Sequence, residues 1–369
     1  MRKIILWMPA IIWLLVAGCG GSGKTKALLE GSKKTIEIKY AKDFAVFNHD
    51  GKQEVVVYNP WQKGKVLARF VLVKSHPGKG EIKVPLDSVA VFSSTQLNAL
   101  RMLGVLNKVT GISEARFISN PQVKKALAAG KMTELAAGGH YFIERILQQR
   151  PQAIFFSPFQ GNLKLPRTLS SLTAIPYLDY TESSPLGRAE WIKFSALFFG
   201  KEKEADSIFQ DIEKQYFALK KMTDTLSKRP TVFSDKFFSG QWFVAGGKSY
   251  IARIFTDAGA NYLWRNDTHI ASFPLNFETV FEKAQGADYW RIVGTFGSKP
   301  SYTQIADENE LYPRFNAFRK HHIIYCDPKK TAYFERSAME PQWVLADFIK
   351  AFHPKLLPDY QPVFYRVLK

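Results

Sequence analysis

A phosphate-binding pattern occurs near the start of the chain. Residues 18–25 read G-C-G-G-S-G-K-T and satisfy G-x-x-x-x-G-K-[ST], in which backbone N–H groups and a lysine hold nucleotide phosphates. Such a loop needs a buried strand before it and a helix after it. Here it follows an apolar run from Ile4 to Ala17 that is preceded by Arg2 and Lys3, so we do not assign nucleotide binding to it.

The same stretch offers a different chemistry, the acylation of a cysteine. The basic, apolar and small residues of 1–18 follow one another as in a signal peptide, and the apolar run is too short to span a membrane stably. Residues 15–19, L-V-A-G-C, resemble the bacterial lipobox, whose cysteine becomes the acylated first residue of the mature chain. We predict a lipoprotein signal peptide over 1–18, lipidation at Cys19 and a flexible tether over 19–35. The alternative is an ordinary secretory signal with an incidental cysteine.

The remaining reactive side chains form no catalytic or metal-binding motif. Cys326 is the other cysteine, and it has no disulfide partner once Cys19 carries lipid. The chain contains no G-x-S-x-G or H-E-x-x-H motif and no suggestive carboxylate pair, so we predict no enzyme and no catalytic residue. A three-histidine zinc or manganese site is the rival hypothesis. No H-x-H pair supports it, and we predict no metal ligand among His49, His76, His140, His269, His321, His322 and His353.

The elements that must position a site are organised around residues 186–228. Leu186–Phe199 carries apolar side chains at helical spacing, Gly200 interrupts the run, and a second amphipathic helix is predicted from Glu202 to Leu226. We predict a linking helix over 186–200 between an N-terminal lobe, 36–185, and a C-terminal lobe, 201–369.

Short apolar strands alternate with helices on both sides of the predicted linking helix, as in α/β sheets with crossover connections. The β-rich run 36–73 contains an Asp50-Gly51 turn and predicts an N-terminal hairpin. The predicted fold class is therefore α/β, with two Rossmann-like lobes, a long linking helix and an N-terminal β-hairpin extension. Ligands of such sheets bind outside the carboxyl ends of the strands, which would face each other across a cleft.

Two helices occupy matching places in the two halves. Residues 141–147 lead to a strand at 153–156, and residues 275–281 lead to a strand at 289–293. Each helix has a glutamate near its start, Glu144 in I-E-R-I and Glu278 in N-F-E-T-V. Together with the run G-Q-W-F-V-A-G-G-K-S-Y from Gly240, this pairing resembles the substrate-binding proteins of ABC importers for iron chelates, haem and cobalamin. The resemblance extends from Val89 to the C-terminus.

The resemblance implies a rigid linking helix, small closure on ligand binding and a permease partner that contacts its ATPase. It also assigns permease docking to Glu144 and Glu278. Electrostatics favours the same role, because acidic groups on the two lobes of a basic protein can pair with arginines through charge-assisted bonds. The alternative is that each glutamate only interacts with the dipole of its own helix.

Large planar or chelated ligands are held by aromatic walls and a few polar contacts. We favour Trp242 because it lies near Gly240, Gly246 and Gly247, where a backbone could approach a ligand closely. No cofactor is predicted, since the iron chelate, haem or cobalamin would be the cargo. The predicted ligand-binding residues are Trp61, Phe159, Gln160, Trp242, Phe243 and Arg253.

The formal net charge of +18 over 369 residues points to an anionic partner. Anionic lipid or an anionic chelate suits an exported protein better than nucleic acid does. We expect a monomer, lipid-anchored to a bacterial membrane on the periplasmic or outer side, that delivers an iron-siderophore or haem-type chelate to a permease. The alternatives are a cobalamin-binding protein of the same type and a lipid-anchored surface interaction module, which would need no cleft.

Overall fold

The computed structural model describes residues 36–158, 165–295 and 300–369. These ranges form two α/β lobes with separate parallel-stranded sheets, a helix between the lobes and an additional N-terminal sheet. The predicted α/β class is confirmed. The signal segment, Cys19, the tether, and the predicted ligand residues Phe159 and Gln160 lie outside the described residues.

The N-terminal sheet contains β1 (Phe44–His49), β2 (Lys52–Tyr58), β3 (Val66–Val73) and β4 (Glu81–Lys83) in that order. The predicted hairpin is present as β1 and β2, whose turn residues Asp50 and Gly51 both have positive φ, +47° and +77°. Such turns suit the twist of a two-stranded ribbon. The sheet then grows beyond the hairpin, because β3 pairs with β2 and β4 pairs with β3.

The first lobe has six strands in the order β10-β9-β5-β6-β7-β8, and only β8 runs antiparallel to its neighbour. The helix predicted from Tyr141 begins at Ile143, because Tyr141 lies in β8 and pairs with Ala136 of β7. The elements are β5 (Val89–Val91), α1 (Ser94–Met102), β6 (Val109–Ser113), α2 (Pro121–Ala128), β7 (Thr133–Ala137), β8 (His140–Tyr141), α3 (Ile143–Gln149), β9 (Ala153–Phe156) and β10 (Thr173–Pro176).

Two helices follow, α4 (Pro185–Leu197) at the place of the predicted linking helix and α5 (Glu202–Lys221). The sequence predicts that α4 is apolar over a broad face, but every residue of α4 is buried. The N-terminal sheet accounts for part of this burial, since the Phe44 ring lies 4.9 Å from Trp191 and 5.3 Å from Phe194. The additional sheet therefore covers the linking helix.

The second lobe has a five-stranded sheet in the order β14-β11-β16-β17-β18 and a separate small sheet, β12-β13-β15. Its core contains Phe233, whose ring stacks on Trp290 and Phe315 at 5.2 and 5.0 Å. The strands are β11 (Thr231–Ser234), β12 (Phe237–Phe238), β13 (Gln241–Val244), β14 (Asn261–Tyr262), β15 (Phe273–Leu275), β16 (Tyr289–Val293), β17 (Ile323–Cys326) and β18 (Arg366–Val367). The helices are α6 (Tyr250–Asp257), α7 (Phe277–Ala284), α8 (Tyr302–Glu308), α9 (Asn316–Arg319), α10 (Pro328–Thr331), α11 (Tyr333–Arg336) and α12 (Pro341–Phe352).

Candidate functional site: a cleft between the lobes

A cavity of about 740 Å³ lies between the two lobes, and we call it the interlobe cleft. Tyr180 reaches it from the first lobe, shortly after β10 ends. Asp235, Val293 and Phe334 reach it from the second lobe, at or after the carboxyl ends of β11, β16 and β17. The cleft thus lies where ligands of open parallel sheets bind, and its volume is in the range of small-molecule sites.

The wall of the interlobe cleft is unusually apolar for a surface that water reaches. Exposed large apolar side chains normally occur singly, and a concentration of them marks a binding surface. Phe238 is the most exposed of these side chains, at 73%. The exposed apolar side chains that line the cleft are Tyr180, Phe238, Phe243, Ile270 and Phe334.

A tight turn presents part of this wall. Ser239 and Gly240, both with positive φ, connect β12 to β13 and place Phe238 opposite Gln241. Two successive residues in this region of φ favour glycine and small polar side chains. The turn therefore holds the small sheet β12-β13-β15 at the edge of the cleft.

Strand alternation decides between two neighbouring candidate residues, Trp242 and Phe243. Side chains of successive strand residues point to opposite faces, and in β13 Trp242 is buried whereas Phe243 is exposed. Trp242 is 0% exposed and donates its indole N–H to the Ser234 carbonyl at 2.9 Å. The side chain of Trp242, which we predicted to bind ligand, therefore belongs to the core and does not line the interlobe cleft. Phe243 lines the cleft.

The glycines near Trp242 have a different role from the predicted one. A Cβ atom at Gly246 would lie 2.2 Å from the His269 carbonyl oxygen, and one at Gly247 would lie 2.4 Å from that of Trp264. These distances are far below a normal contact. Because Gly246 and Gly247 have no side chain, the backbone of residues 264–271 can pack directly against them. The close approach that we predicted for a ligand is therefore made by the protein's own backbone.

The floor of the cleft carries a buried cation. The Arg291 guanidinium lies 2.6 Å from Asp235 Oδ1, and its Nε and Nη2 donate to the Tyr365 phenol oxygen at 3.1 and 2.5 Å. Buried charges are stable when paired and hydrogen-bonded, as here. Arg291 and Asp235 both line the cleft, so a polar pair lies beneath the aromatic wall.

A second arginine connects the linking helix to the cleft. The Arg188 guanidinium lies 4.4 Å from the Tyr250 ring centre, and its Nη2 lies 3.5 Å from Asp179 Oδ2. Tyr250 and Tyr333 both line the cleft, and their phenol oxygens are 3.4 Å apart. Burial raises the pKa of the Asp179 carboxyl, against the opposing effect of Arg188. The first turn of α4 is thereby fixed against the second lobe.

Two buried carboxylates fasten the N-terminal segment to this region. Glu190 in α4 accepts the backbone N–H groups of residues 39, 40 and 41 at 2.9, 2.7 and 2.9 Å. Glu182 Oε1 accepts those of residues 42 and 43 at 2.9 and 3.2 Å, and the Trp191 indole N–H at 3.1 Å. We call Glu182 and Glu190 the carboxylate clamp.

Glu182 belongs both to the carboxylate clamp and to the lining of the cleft. Burial raises the pKa of Glu182 to about 7, and the nearby Asp43 carboxylate acts in the same direction. The hydrogen bonds from Trp191 and the two backbone amides oppose these effects without cancelling them. A group that titrates near neutral pH therefore lies at the boundary between the N-terminal segment and the cleft.

The two predicted docking residues occupy equivalent positions in the lobes. Glu144 lies in the first turn of α3 and Glu278 in the first turn of α7, and both side chains are exposed. The start of α7 is fixed by Asn276, whose side chain accepts the Thr279 N–H at 2.8 Å. Either carboxylate is available to a cationic partner, and their docking role stays a prediction.

Two other predicted ligand residues that the structure describes, Trp61 and Arg253, do not line the interlobe cleft. Trp61 is exposed in the turn between β2 and β3, where its backbone N–H donates to Asn59 Oδ1. Arg253 is exposed on α6 and lies 3.4 Å from Asp257, in a different cavity. The cleft therefore receives Phe243 from the predicted set.

Several cleft residues were missed by sequence reasoning. The Phe237-Phe238 pair directly after a predicted strand could have drawn attention, since loops after parallel strands face ligands. Tyr180, Arg291 and Phe334 gave no local signal, because a single aromatic or basic residue is common in this aromatic-rich chain.

The histidines do not converge. Across residues 36–158, 165–295 and 300–369, no three His, Cys, Asp or Glu side chains are grouped as a metal ion would require. In the same ranges no helix combines the length and hydrophobicity that a membrane span demands.

Comparisons with known proteins agree with the geometry. The family model described as periplasmic binding protein matches residues 89–330. An uncharacterized lipoprotein of Methanocaldococcus jannaschii is 26% identical over 295 residues, which are 77% of this chain and 69% of that protein.

Two solved structures share the fold at low sequence identity. A periplasmic haem-binding protein from Pseudomonas aeruginosa has a TM-score of 0.59 and 17% identity, covering 75% of this chain and 96% of that one. A protein of an ABC-type Fe³⁺-hydroxamate transport system from Saccharomonospora viridis has a TM-score of 0.56 and 16% identity, covering 74% and 95%. Since the family match covers more than half of the sequence, the chain belongs to the periplasmic binding protein family.

Proposed function

We propose that the chain is the lipid-anchored solute-binding component of an ABC importer, and that it captures an iron-siderophore or haem-type chelate in the interlobe cleft. The observation that carries the proposal is the concentration of exposed aromatic side chains around the interlobe cleft, with Tyr180 from the first lobe and Phe238, Phe243 and Phe334 from the second. Aromatic walls suit large, partly apolar ligands, and water-exposed aromatics are costly without such a use.

Hydrogen-bonding groups lie beneath the aromatic wall of the cleft. Arg291 lies at the floor in an ion pair with Asp235, and Tyr250 and Tyr333 supply phenol groups beside it. Guanidinium and hydroxyl donors bind carboxylate and hydroxamate oxygens. The structurally similar proteins include a haem-binding protein and a protein of an Fe³⁺-hydroxamate transport system, which supports the same ligand class here.

Glu144 and Glu278 would orient the loaded protein on the permease by pairing with its cationic side chains. Their matching positions on separate lobes support this role. Acylation of Cys19 would keep the protein at the membrane, and the lipoprotein relative supports that assignment. No reaction is proposed for the chain itself.

The ligand class is tested by visible absorbance of the protein purified from its native cells, followed by titration with haemin, a ferric tris-hydroxamate and cobalamin. The three give different spectra, so the cobalamin alternative is read in the same experiment. Phe238→Ala combined with Phe334→Ala should lower affinity for the bound chelate at least about tenfold, because both rings lie in the cleft.

Phe117→Ala is the matched control, because Phe117 is an exposed aromatic residue outside the interlobe cleft. The affinity of this variant for the chelate should be unchanged. A native protein without chromophore that binds none of the three probes would contradict the proposal. That result would favour the surface interaction module.

Docking is tested by ATPase stimulation of the reconstituted transporter. Glu144→Lys combined with Glu278→Lys should abolish stimulation and leave chelate affinity intact. Glu202→Lys combined with Glu204→Lys is the control, because these glutamates also lie in the first turn of a helix and share the dipole effect. Equal losses in both double variants would remove the docking role.

A further inference from the structure

A second cavity, of about 480 Å³, lies beside the start of α4 and between α5, α6 and the N-terminal segment. Tyr40, Ser184 and Phe217 form part of its wall. It shares Ser249 with the interlobe cleft but has a different character, because the second cavity is strongly basic. We call it the basic groove, and its cations are Lys42, Lys220, Lys248, Arg253 and Arg265.

The positive charge of the basic groove is largely uncompensated. Among the described residues that line it, Asp257 is the one acid, and it is buried and accepts the Tyr216 phenol O–H at 2.9 Å. Arg253 lies 3.4 Å from Asp257, and Lys220 lies 2.9 Å from Asp224.

The other three cations, Lys42, Lys248 and Arg265, are exposed and form no ion pair with a described residue. Like charges gathered around a cavity repel one another and attract an anion. The groove is therefore suited to a compact anionic group.

None of the five groove cations lines the interlobe cleft, so a ligand bound in the cleft does not supply this anionic group. The position of the N-terminal segment indicates another source. Tyr40 and Lys42 line the groove only a few residues after Ile36, the first described residue. The carboxylate clamp holds residues 39–43 beside the groove, and the predicted tether precedes these residues in the sequence.

The tether can bring the basic groove to the membrane. Sixteen residues separate Cys19 from Ile36, and a flexible chain of that length spans roughly 20–25 Å on average. Fully extended, it spans about 55 Å at most. It also carries Lys24, Lys26, Lys33 and Lys34. Basic side chains close to an acyl anchor are attracted to anionic lipids, and an acyl chain combined with a basic patch anchors more firmly than either does alone.

We propose that the basic groove binds the phosphate of an anionic phospholipid headgroup in the membrane that carries the anchor. Lys42, Lys248 and Arg265 contact the phosphate oxygens, and Lys220 and Arg253 add to the local potential. The contact turns one face of the protein toward the bilayer and so limits the orientations of the tethered protein. The inference rests on the lipid anchor of the proposed function. A free phosphate has the same chemistry, and the experiment separates the two sources.

The test is the labelling rate of lysine amines by a water-soluble acylating reagent, read by mass spectrometry on the membrane-purified protein in vesicles. One set of vesicles is phosphatidylcholine, and in the other about a third of the lipid is phosphatidylglycerol. Lys42 and Lys248 should be labelled at least about fivefold more slowly on the anionic vesicles, since each cation favours lipid contact about fivefold. Lys124, exposed on α2, should be labelled equally on both.

Two triple variants of equal charge change show whether the groove itself is responsible. Lys42→Gln with Lys248→Gln and Arg265→Gln should abolish the lipid-dependent protection of Lys220, the remaining groove lysine. The control, with glutamine at the exposed positions Lys124, Lys125 and Lys131, should retain that protection. Equal loss in both variants would mean that net charge alone attracts the protein, which would overturn the proposal.

The source of the phosphate is tested with inorganic phosphate and glycerol phosphate in the absence of anionic vesicles. Protection by either at millimolar concentration, equal to that on phosphatidylglycerol, would assign the groove to a free solute and overturn the lipid assignment. Mass spectrometry of the N-terminal peptide reports acylation separately. A missing anchor is thereby distinguished from a groove that does not contact lipid.

Discussion

Glu190 is the residue whose replacement tests the architecture most directly. Its carboxylate accepts three successive backbone N–H groups, those of residues 39, 40 and 41, and it is fully buried in α4. Its Oε1 also lies 3.3 Å from the Lys193 ammonium. Substitution by alanine leaves the three donors without their acceptor, and substitution by glutamine restores one oxygen.

The expected cost follows from the burial of the three donors. The Ala41 N–H is buried with its acceptor, and stranding such a group costs about 1–3 kcal/mol. The amides of Lys39 and Tyr40 are partly reached by water, so each adds about 0.5–1 kcal/mol. Lys193 keeps Asp206 at 3.3 Å and the Glu37 carbonyl at 2.9 Å. Glu190→Ala should therefore lower the free energy of unfolding by about 2–5 kcal/mol, and Glu190→Gln by less.

Urea unfolding measures this loss of stability. In Glu190→Ala, the amides of residues 39–41 should also lose their protection against hydrogen exchange. Glu204→Gln is the control, because Glu204 forms an exposed pair with Lys201, and such pairs contribute less than about 1 kcal/mol. If Glu190→Ala matched the control in stability and the three amides kept their protection, Glu190 would not hold the N-terminal segment. The N-terminal segment would then be held by its apolar contacts alone.

Three further outcomes are expected. Trp242→Ala should lower the free energy of unfolding in urea by about 3–5 kcal/mol, because the ring is fully buried. Phe243→Ala should change that free energy by less than about 1 kcal/mol and should weaken chelate binding, because Phe243 lines the cleft. The reverse pattern would contradict the assigned orientations of the two side chains. Because the pKa of Glu182 is raised from 4.5 to about 7, its stability contribution is fully present below pH 4.5 and is lost as the pH rises through 7, by about 3 kcal/mol. Glu182→Gln should flatten this decline. Burial raises the pKa of the Asp347 carboxyl to about 6, and subtracting the variant's curve of stability against pH from that of the native protein cancels the contribution of Asp347, which both proteins share. Parallel curves would contradict the assignment to Glu182. Solution scattering should show small closure with bound chelate, since α4 is buried along its whole length and resists hinge bending, and a large compaction would count against this.

The sequence determined the elements and their class. Strands β9 and β16 have the predicted bounds, because short apolar runs bounded by polar residues can be read without tertiary information. The Asp50-Gly51 turn likewise specified a hairpin through backbone preferences of single residues. The matching positions of Glu144 and Glu278 followed from comparing the two halves.

The composition of the sites was decided by tertiary structure. Trp242 and Phe243 are adjacent and similar in chemistry, and only the packing of β13 between the core and the cleft assigns one to each. Glu190 reaches amides about 150 positions earlier in the chain, and Lys42 joins Arg265 in the basic groove. Such contacts depend on how separate helices and strands pack against one another. That packing is driven by the burial of apolar surface over the whole chain, which no local sequence pattern records.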